Sequence, residues 1–510
     1  MGIKSLSKVL ADDKYSTDKE VLLCYGYDAS GIDITPAAVV WPQNTADIVK
    51  ITRFAYENSY RLIPRGAGTG MTGGSVPMDN AILMSLEKMN RIIELDVDNL
   101  NVVVEPGVIN GVLQSELESK GYFYPPDPAS LNICTIGGNV AENAGGPRAV
   151  KYGVTRDYVM QLEAVLPDGR VINTGVKTSK GVVGYDITRL LVGSEGTLAT
   201  ISKIRLRVLP KPDSIVTMLS AFSSIEETGR AVAKIIAMGI IPRTLELMDR
   251  LTLFAVNRLK QVGFPEDIDA LLLIEVDGNR RAIAKEAEVI SNICNEFGGK
   301  IKVAVDNQSR ELLWDARRSI SAALYKISPA KINEDVVVPI SKVPLLLMGI
   351  ERLSEKHDIP IACFGHAGDG NIHVNIMTDK KDRESLYKPE PGASWSAKEP
   401  GATWSGKEPG ASWSGKEPGA SRRIKEPEAS WSAKEPGASW SAKEAVVREL
   451  FELTLSLGGT LSGEHGIGLT KARYIDMELD MINIDLMKGI KNLFDPKNIL
   501  NPGKIFPPDK

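Results

Sequence analysis

Three of the chain's four histidines sit in two short glycine-rich stretches, Gly365-His366-Ala367-Gly368-Asp369-Gly370-Asn371-Ile372-His373 and Ser462-Gly463-Glu464-His465-Gly466. If Asp369-Gly370 is a two-residue hairpin turn between the apolar runs 361–364 and 372–376, His366 and His373 become directly opposed cross-strand neighbours. Two imidazoles then converge on one point. Glu464 can complete a first shell for a catalytic divalent metal, with a position left open for substrate. His465, adjacent but pointing elsewhere, is a candidate base. The competing reading is that these are polar glycine turns and nothing more. The fourth histidine, His357 in Glu355-Lys356-His357-Asp358, reads as surface.

The elements that must position these residues follow from patterning. At 510 residues the chain is too long for one core and should divide into two or three domains. Residues 1–30 read as a short helical lead-in, followed by a strand at 39–41 and a helix at 47–56. Strand-like runs at 81–86, 101–104, 161–166 and 198–208 alternate with Gly/Pro turns, with a helix at 110–119. Leu209-Pro210-Lys211-Pro212-Asp213 marks a boundary. Beyond it, strands at 214–222 and 270–276 and helices at 224–238 and 280–297 predict an α+β unit. Helical patterns at 445–457 and 485–494 close the chain.

Residues 388–443 differ in kind, repeating Lys-Glu-Pro-Gly-Ala-Ser-Trp-Ser-Ala/Gly every nine residues and holding five of the seven tryptophans. Pro and Gly in each unit oppose helix and strand, so a disordered surface excursion is expected, with a periodic solenoid as the rival. Loop-closure entropy grows only logarithmically, about 2 kcal/mol for a tenfold longer loop, so the flanking segments can still meet.

A net charge of −4 without a Lys/Arg cluster gives no sign of a nucleic-acid partner. Cys24, Cys134, Cys294 and Cys363 are far apart, which rules out a zinc ribbon or a four-cysteine iron-sulfur site and points to free thiols in a reducing compartment. No secretory signal or transmembrane run is present in the sequence, so a cytoplasmic protein is expected.

Gly68-Thr69-Gly70-Met71-Thr72-Gly73 satisfies G-x-G-x-x-G, yet the segment after it is a loop leading to a strand, and the helix a Rossmann fingerprint requires is missing. The loop Pro64-Arg65-Gly66-Ala67-Gly68-Thr69-Gly70 can instead hold a diphosphate through successive backbone N–H groups. A second segment runs from Pro125-Pro126-Asp127-Pro128 into Thr135-Ile136-Gly137-Gly138-Asn139-Val140-Ala141-Glu142-Asn143-Ala144-Gly145-Gly146, and a third is Gly193-Ser194-Glu195-Gly196-Thr197-Leu198. In this order the motifs resemble the FAD-linked D-2-hydroxyacid dehydrogenases of the vanillyl-alcohol-oxidase flavoprotein fold. The resemblance is to the group of the glycolate oxidase catalytic subunit and FAD-dependent D-lactate dehydrogenases, and spans nearly everything outside 388–443.

The resemblance implies a fold and a site. The fold is α+β: a two-part FAD-binding domain (31–212) after the lead-in (1–30), an α+β substrate or cap domain with the metal hairpin (213–387), the repeat insertion (388–443), and a C-terminal helical part (444–510) returning to the FAD domain. Pro64, Arg65, Gly66, Ala67, Gly68, Thr69 and Gly70, with Pro128, Thr135, Gly137, Gly138, Asn139, Asn143 and Gly145, embrace FAD. Gly193, Glu195 and Gly196 complete that site. No histidine precedes His357, which excludes a histidyl-linked flavin at the first loop and implies dissociable FAD.

The same resemblance maps His366, His373 and Glu464 onto ligands of a divalent metal, zinc or iron/manganese, and His465 onto the base. It brings Asn375, Arg317 and Lys331 to the substrate carboxylate. An arginine fork independently suits a planar carboxylate, although Arg317 also reads as an exposed helix cation beside Asp315 and Glu311, and Asn375 as the polar face of a strand. The expected reaction is hydride transfer from a small D-2-hydroxyacid to flavin, with electrons passed to an iron-sulfur subunit, an electron-transferring flavoprotein or a quinone, a partner that can hold the cytoplasmic chain at the inner membrane. Two rivals stand beside it: an ether-lipid synthase-like enzyme on the same fold, and a non-catalytic flavin-binding scaffold.

Overall fold

The computed structural model describes residues 2–379 and 442–506, except 261, 266 and 305. The nine-residue repeat, save its last two positions, lies outside the described residues.

The strands Ala38–Val40, Ala81–Ser85 and Arg61–Arg65 form a small parallel sheet, edged by antiparallel Tyr15–Ser16. They are short and wholly apolar at their centres because helix Thr45–Asn58 covers them, packing Ile48, Ile51 and Phe54 against Val40, Leu62 and Ile82. Asn44 starts that helix by accepting a bond from the Asp47 N–H. The chain's end returns here: Leu62 donates its N–H to Ile499 and accepts from Asn501, continuing the sheet.

A second, antiparallel sheet runs in the order Ile92–Asp96, Asn101–Val104, Thr200–Arg207, Val159–Val165, Val171–Gly175. Helix Asn110–Ser119 packs Leu113 and Leu117 into its core beside Val102, Val104 and Leu206. The first and last of these strands escape a reading of the sequence because, as edge strands, they are largely solvated and carry no clean apolar alternation.

The third sheet has seven antiparallel strands, in the order Lys300–Val303, Ser214–Phe222, Ala270–Gly278, Thr244–Asp249, Ile361–His366, Asn371–Thr378, Ala330–Val337. Alternation gives it two unlike faces. Leu245, Leu247, Ile274, Ile332, Ile361, Val374 and Ile376 form the apolar face, covered by helices Ile225–Ala237, Val343–His357 and Ala442–Ser456. The opposite face presents His373 and Asn375, and Lys331, Asn333 and Asp335, each set two apart along its strand, with Glu246 paired beside His366. One end of this face is closed by helices Arg250–Lys260 and Asn307–Arg318 through Leu253, Trp314 and Phe364.

An ionic seam ties the third sheet to the segment after the second glycine motif. Asp277 accepts from Lys151 Nζ (2.6 Å), Tyr152 OH (2.8 Å) and Arg243 Nη1 (2.5 Å). Arg148 pairs with Asp127 nearby.

Candidate active site

The hairpin's register differs from the sequence expectation. His366 pairs with Asn371, and His373 with Phe364, so the two histidines are diagonal rather than directly opposed. The turn is longer than Asp369-Gly370: the Asp369 N–H donates to His366 O and the Gly370 N–H to Ala367 O. Gly370, at φ 85°, lies so close to the Val338 carbonyl that a Cβ would stand 2.0 Å from it. The diagonal still brings the rings together, with centroids 5.1 Å apart and edge to face.

Glu464 reaches both imidazoles, placing Oε1 3.3 Å from His366 Nε2 and 3.4 Å from His373 Nε2. Ligand atoms of the three residues all lie within 4.8 Å of one another, a spacing that suits one metal ion. Behind them, the other nitrogen of His366 meets Glu246 Oε1 at 2.6 Å, the carboxylate-histidine arrangement that orients a ligand imidazole. Burial disfavours a charged His366, but Glu246 and Glu464 outweigh it and hold its pKa well above the ordinary imidazole value. Burial, then the neighbouring His465 and His366, push His373 well below that value. Two imidazole nitrogens and a carboxylate oxygen thus converge on one point, a donor set that suits a divalent cation.

Asp335 organises the Glu464-His465 loop. Its Oδ2 accepts the backbone N–H groups of Gly463 (2.8 Å), Glu464 (2.7 Å) and His465 (3.2 Å), while Oδ1 accepts from Lys471 Nζ (2.5 Å). Burial raises the Asp335 carboxyl, yet His465 and Lys471 outweigh it and hold it far below the carboxylate range. His465 Nδ1 lies 3.3 Å from Asp335 Oδ1, and its ring stacks on His373 at 5.1 Å. Neither Glu246 nor Asp335 emerges from the sequence reading, for each meets its partner more than a hundred positions away. One signal was available: Lys331-x-Asn333-x-Asp335 places three polar residues on one strand face.

The glycine segments line one open cleft. Pro64, Arg65, Gly66, Ala67, Gly68, Thr69, Gly70, Pro128, Thr135, Gly137, Gly138, Asn139, Glu195 and Gly196 face it, and so do Glu464 and His465. Asn143, Gly145 and Gly193 stand just behind this lining: Asn143 caps helix Ile136–Glu142, and a Cβ on Gly145 would come 2.8 Å from Glu464. That helix is capped at its start by Thr135, which accepts from the Gly138 N–H, and its N-terminus at the cleft suits a phosphate. Glu195 has a second task. Its carboxylate accepts the Ile467 and Gly468 N–H groups, both at 2.7 Å, and so fastens the third glycine segment to the Glu464-His465 loop.

The three residues expected at the substrate carboxylate are buried on the same sheet face or beside it. Asn375 Oδ1 accepts from Lys331 Nζ at 2.8 Å. Arg317 turns Nε (2.8 Å) and Nη2 (2.5 Å) to Glu246 and lies over the Phe364 ring. It is therefore not an exposed helix cation, and most of its fork already engages Glu246.

Comparison with known proteins agrees with this architecture. Residues 36–175 match the FAD binding domain model, and 211–391 with 432–505 match that of the FAD linked oxidases, C-terminal domain. The chain is 38% identical to the glycolate oxidase subunit GlcD of Bacillus subtilis, covering 99% of this chain and 97% of that one. It is 31% identical to a D-lactate dehydrogenase of Anaerostipes hadrus over 92% of this chain and 89% of that one. Among solved structures, p-cresol methylhydroxylase superposes with a TM-score of 0.72 at 15% identity, covering 99% and 96% of the two chains. A 4-ethylphenol oxidase of Gulosibacter chungangensis gives 0.72 at 19% identity, covering 99% and 97%. The fold is thus of the vanillyl-alcohol-oxidase type, and the chain belongs to the FAD-linked oxidase family, a flavoprotein oxidoreductase.

Proposed function

We propose that the chain oxidises a small D-2-hydroxyacid, of the glycolate or D-lactate type, to the 2-oxoacid. One observation carries this reading. Glu464 belongs to the histidine cluster and also lines the glycine cleft, so a substrate between them touches both. When bound, non-covalent FAD supplies a hydride acceptor and a divalent ion, zinc or iron/manganese, supplies a Lewis acid for the substrate hydroxyl.

The chain's own residues do the rest. His366, His373 and Glu464 hold the ion, with Glu246 fixing the His366 ring from behind. An Nδ1–H of His465 donated to Asp335 leaves Nε2 to take the hydroxyl proton, a base role worth roughly 10²- to 10⁴-fold. Lys331, steadied by Asn375, and the guanidinium donor of Arg317 not turned to Glu246 receive the carboxylate. Electrons then leave to an iron-sulfur subunit, an electron-transferring flavoprotein or a quinone. The units 1–30, 31–212, 213–387 and 444–510 serve as lead-in, flavin domain, cap and returning C-terminal part of a cytoplasmic enzyme.

An ether-lipid synthase-like reaction has no need of the Glu464 cluster, and a scaffold predicts yellow protein without turnover. The test is anaerobic mixing of the FAD-loaded chain with glycolate, D-lactate, L-lactate and D-2-hydroxyglutarate. Loss of the flavin's visible absorbance with a D-acid or glycolate supports the proposal; no bleaching by any of them removes it.

A further inference from the structure

The loop between strand Val171–Gly175 and helix Ile187–Leu191 stands away from the body of the protein. Every residue from 175 to 187 is exposed, and at its tip Val182, Val183 and Tyr185 are 95%, 98% and 97% exposed. Three large apolar residues, adjacent or nearly so and with almost all of their surface in water, are unusual on a soluble protein and mark a contact surface. Gly181 and Gly184 flank the valines, so the tip is a narrow projection. Its base is pinned, with Thr188 Oγ1 bonded to Thr174 Oγ1 at 2.9 Å and Asp186 capping the following helix.

The charged groups beside the tip are two lysines on its N-terminal side and, on the other, Asp186, whose carboxylate caps the next helix by accepting the Arg189 N–H. Between Arg170 and Asp186 the sequence holds Lys177 and Lys180 and no carboxylate. A projecting apolar tip, a tyrosine at its edge and lysines behind it form the pattern that enters the headgroup layer of an anionic bilayer, with the lysines at the phosphates and the valines among the acyl chains. The geometry points to this loop as a membrane-contact site for an anionic lipid surface. The surface stands or falls independently of what the flavin cleft oxidises. Its position is informative all the same: helix Ile187–Leu191 runs directly into Gly193–Gly196, which leads to the cleft lining.

The test uses the full FAD-loaded chain and sedimentation with vesicles of phosphatidylcholine containing a quarter phosphatidylglycerol. Wild type should sediment with them at low salt. Val182→Glu with Val183→Glu should abolish binding, and Lys177→Gln and Lys180→Gln should each weaken it roughly fivefold. Flavin content, thermal midpoint and turnover with an artificial dye acceptor should stay at wild-type values in all these variants, since none of the residues lines the cleft. Wild-type protein that fails to sediment, or a double glutamate variant that sediments as well as wild type, overturns the proposal. A change in molecular mass on loop substitution without vesicle binding also overturns it, and assigns the loop to a second copy instead.

Discussion

Replacing Asp277 by Asn should loosen the junction between the segment around Lys151 and Tyr152 and the seven-stranded sheet. The Asp277 side chain is fully buried, and its carboxylate accepts from Lys151, Tyr152 and Arg243. The substitution keeps the shape but removes the charge and turns an amide NH₂ toward groups that are themselves donors. Breaking a buried pair from one side costs about 3–5 kcal/mol. Arg243 keeps Glu275 at 3.3 Å, so the loss should fall near the lower end, about 3 kcal/mol.

The pH dependence has a definite sign. Burial raises the Asp277 pKa, but Lys151, Arg243 and Tyr152 outweigh it and leave the folded value below the ordinary one. Its contribution is therefore full above the unfolded value of about 3.9 and is lost as pH falls through the folded one. Urea unfolding of wild type and variant should show a constant gap from neutral pH down to about pH 4, narrowing below it. A gap under about 0.5 kcal/mol at pH 7, the range of a neutral surface change, would refute the reasoning about the seam.

Other substitutions probe the site itself. Glu246→Gln should weaken metal retention by roughly 10- to 100-fold, read as metal content after dialysis against a graded chelator, because the carboxylate behind His366 is lost. Gly66→Ala should lower FAD content, measured from the absorbance of the purified protein, since its Cβ would stand 2.4 Å from Thr135 Oγ1; unchanged flavin would remove Gly66 from the cradle. Asp335→Asn should slow flavin reduction by about 100-fold while sparing FAD content, as three backbone N–H groups and His465, the proposed base, lose their anionic anchor.

Much of the site was legible because its residues announce themselves locally. Glycine spacing in 64–70 and 193–196 marks segments that line one cleft, and clustered histidines mark the hairpin that meets Glu464. Helix Ile136–Glu142 was not legible, since Gly137 and Gly138 carry poor helix propensity and it is sustained by the Thr135 cap and by packing at Ile136 and Val140. The hairpin register failed for a related reason: Ala367-Gly368 belongs to the turn, and four residues shift the pairing by two positions relative to a two-residue turn. Glu246 and Asp335 read as ordinary strand residues until the fold brings His366 and the 462–465 loop to them. Arg317 was placed on its helix correctly, but its engagement with Glu246 across the core is a tertiary fact that spacing does not encode.

The central claim is that the histidine cluster and the glycine cleft act on one substrate. Its most direct test is the rate of flavin bleaching by a D-2-hydroxyacid in stopped flow, before and after chelation, with flavin content held constant. Chelated protein should stay yellow, reduce at least about 100-fold more slowly, and recover on addition of one equivalent of divalent metal. His465→Ala should retain FAD and metal yet bleach roughly 10²- to 10⁴-fold more slowly. Full-rate bleaching by demonstrably metal-free protein would contradict the account.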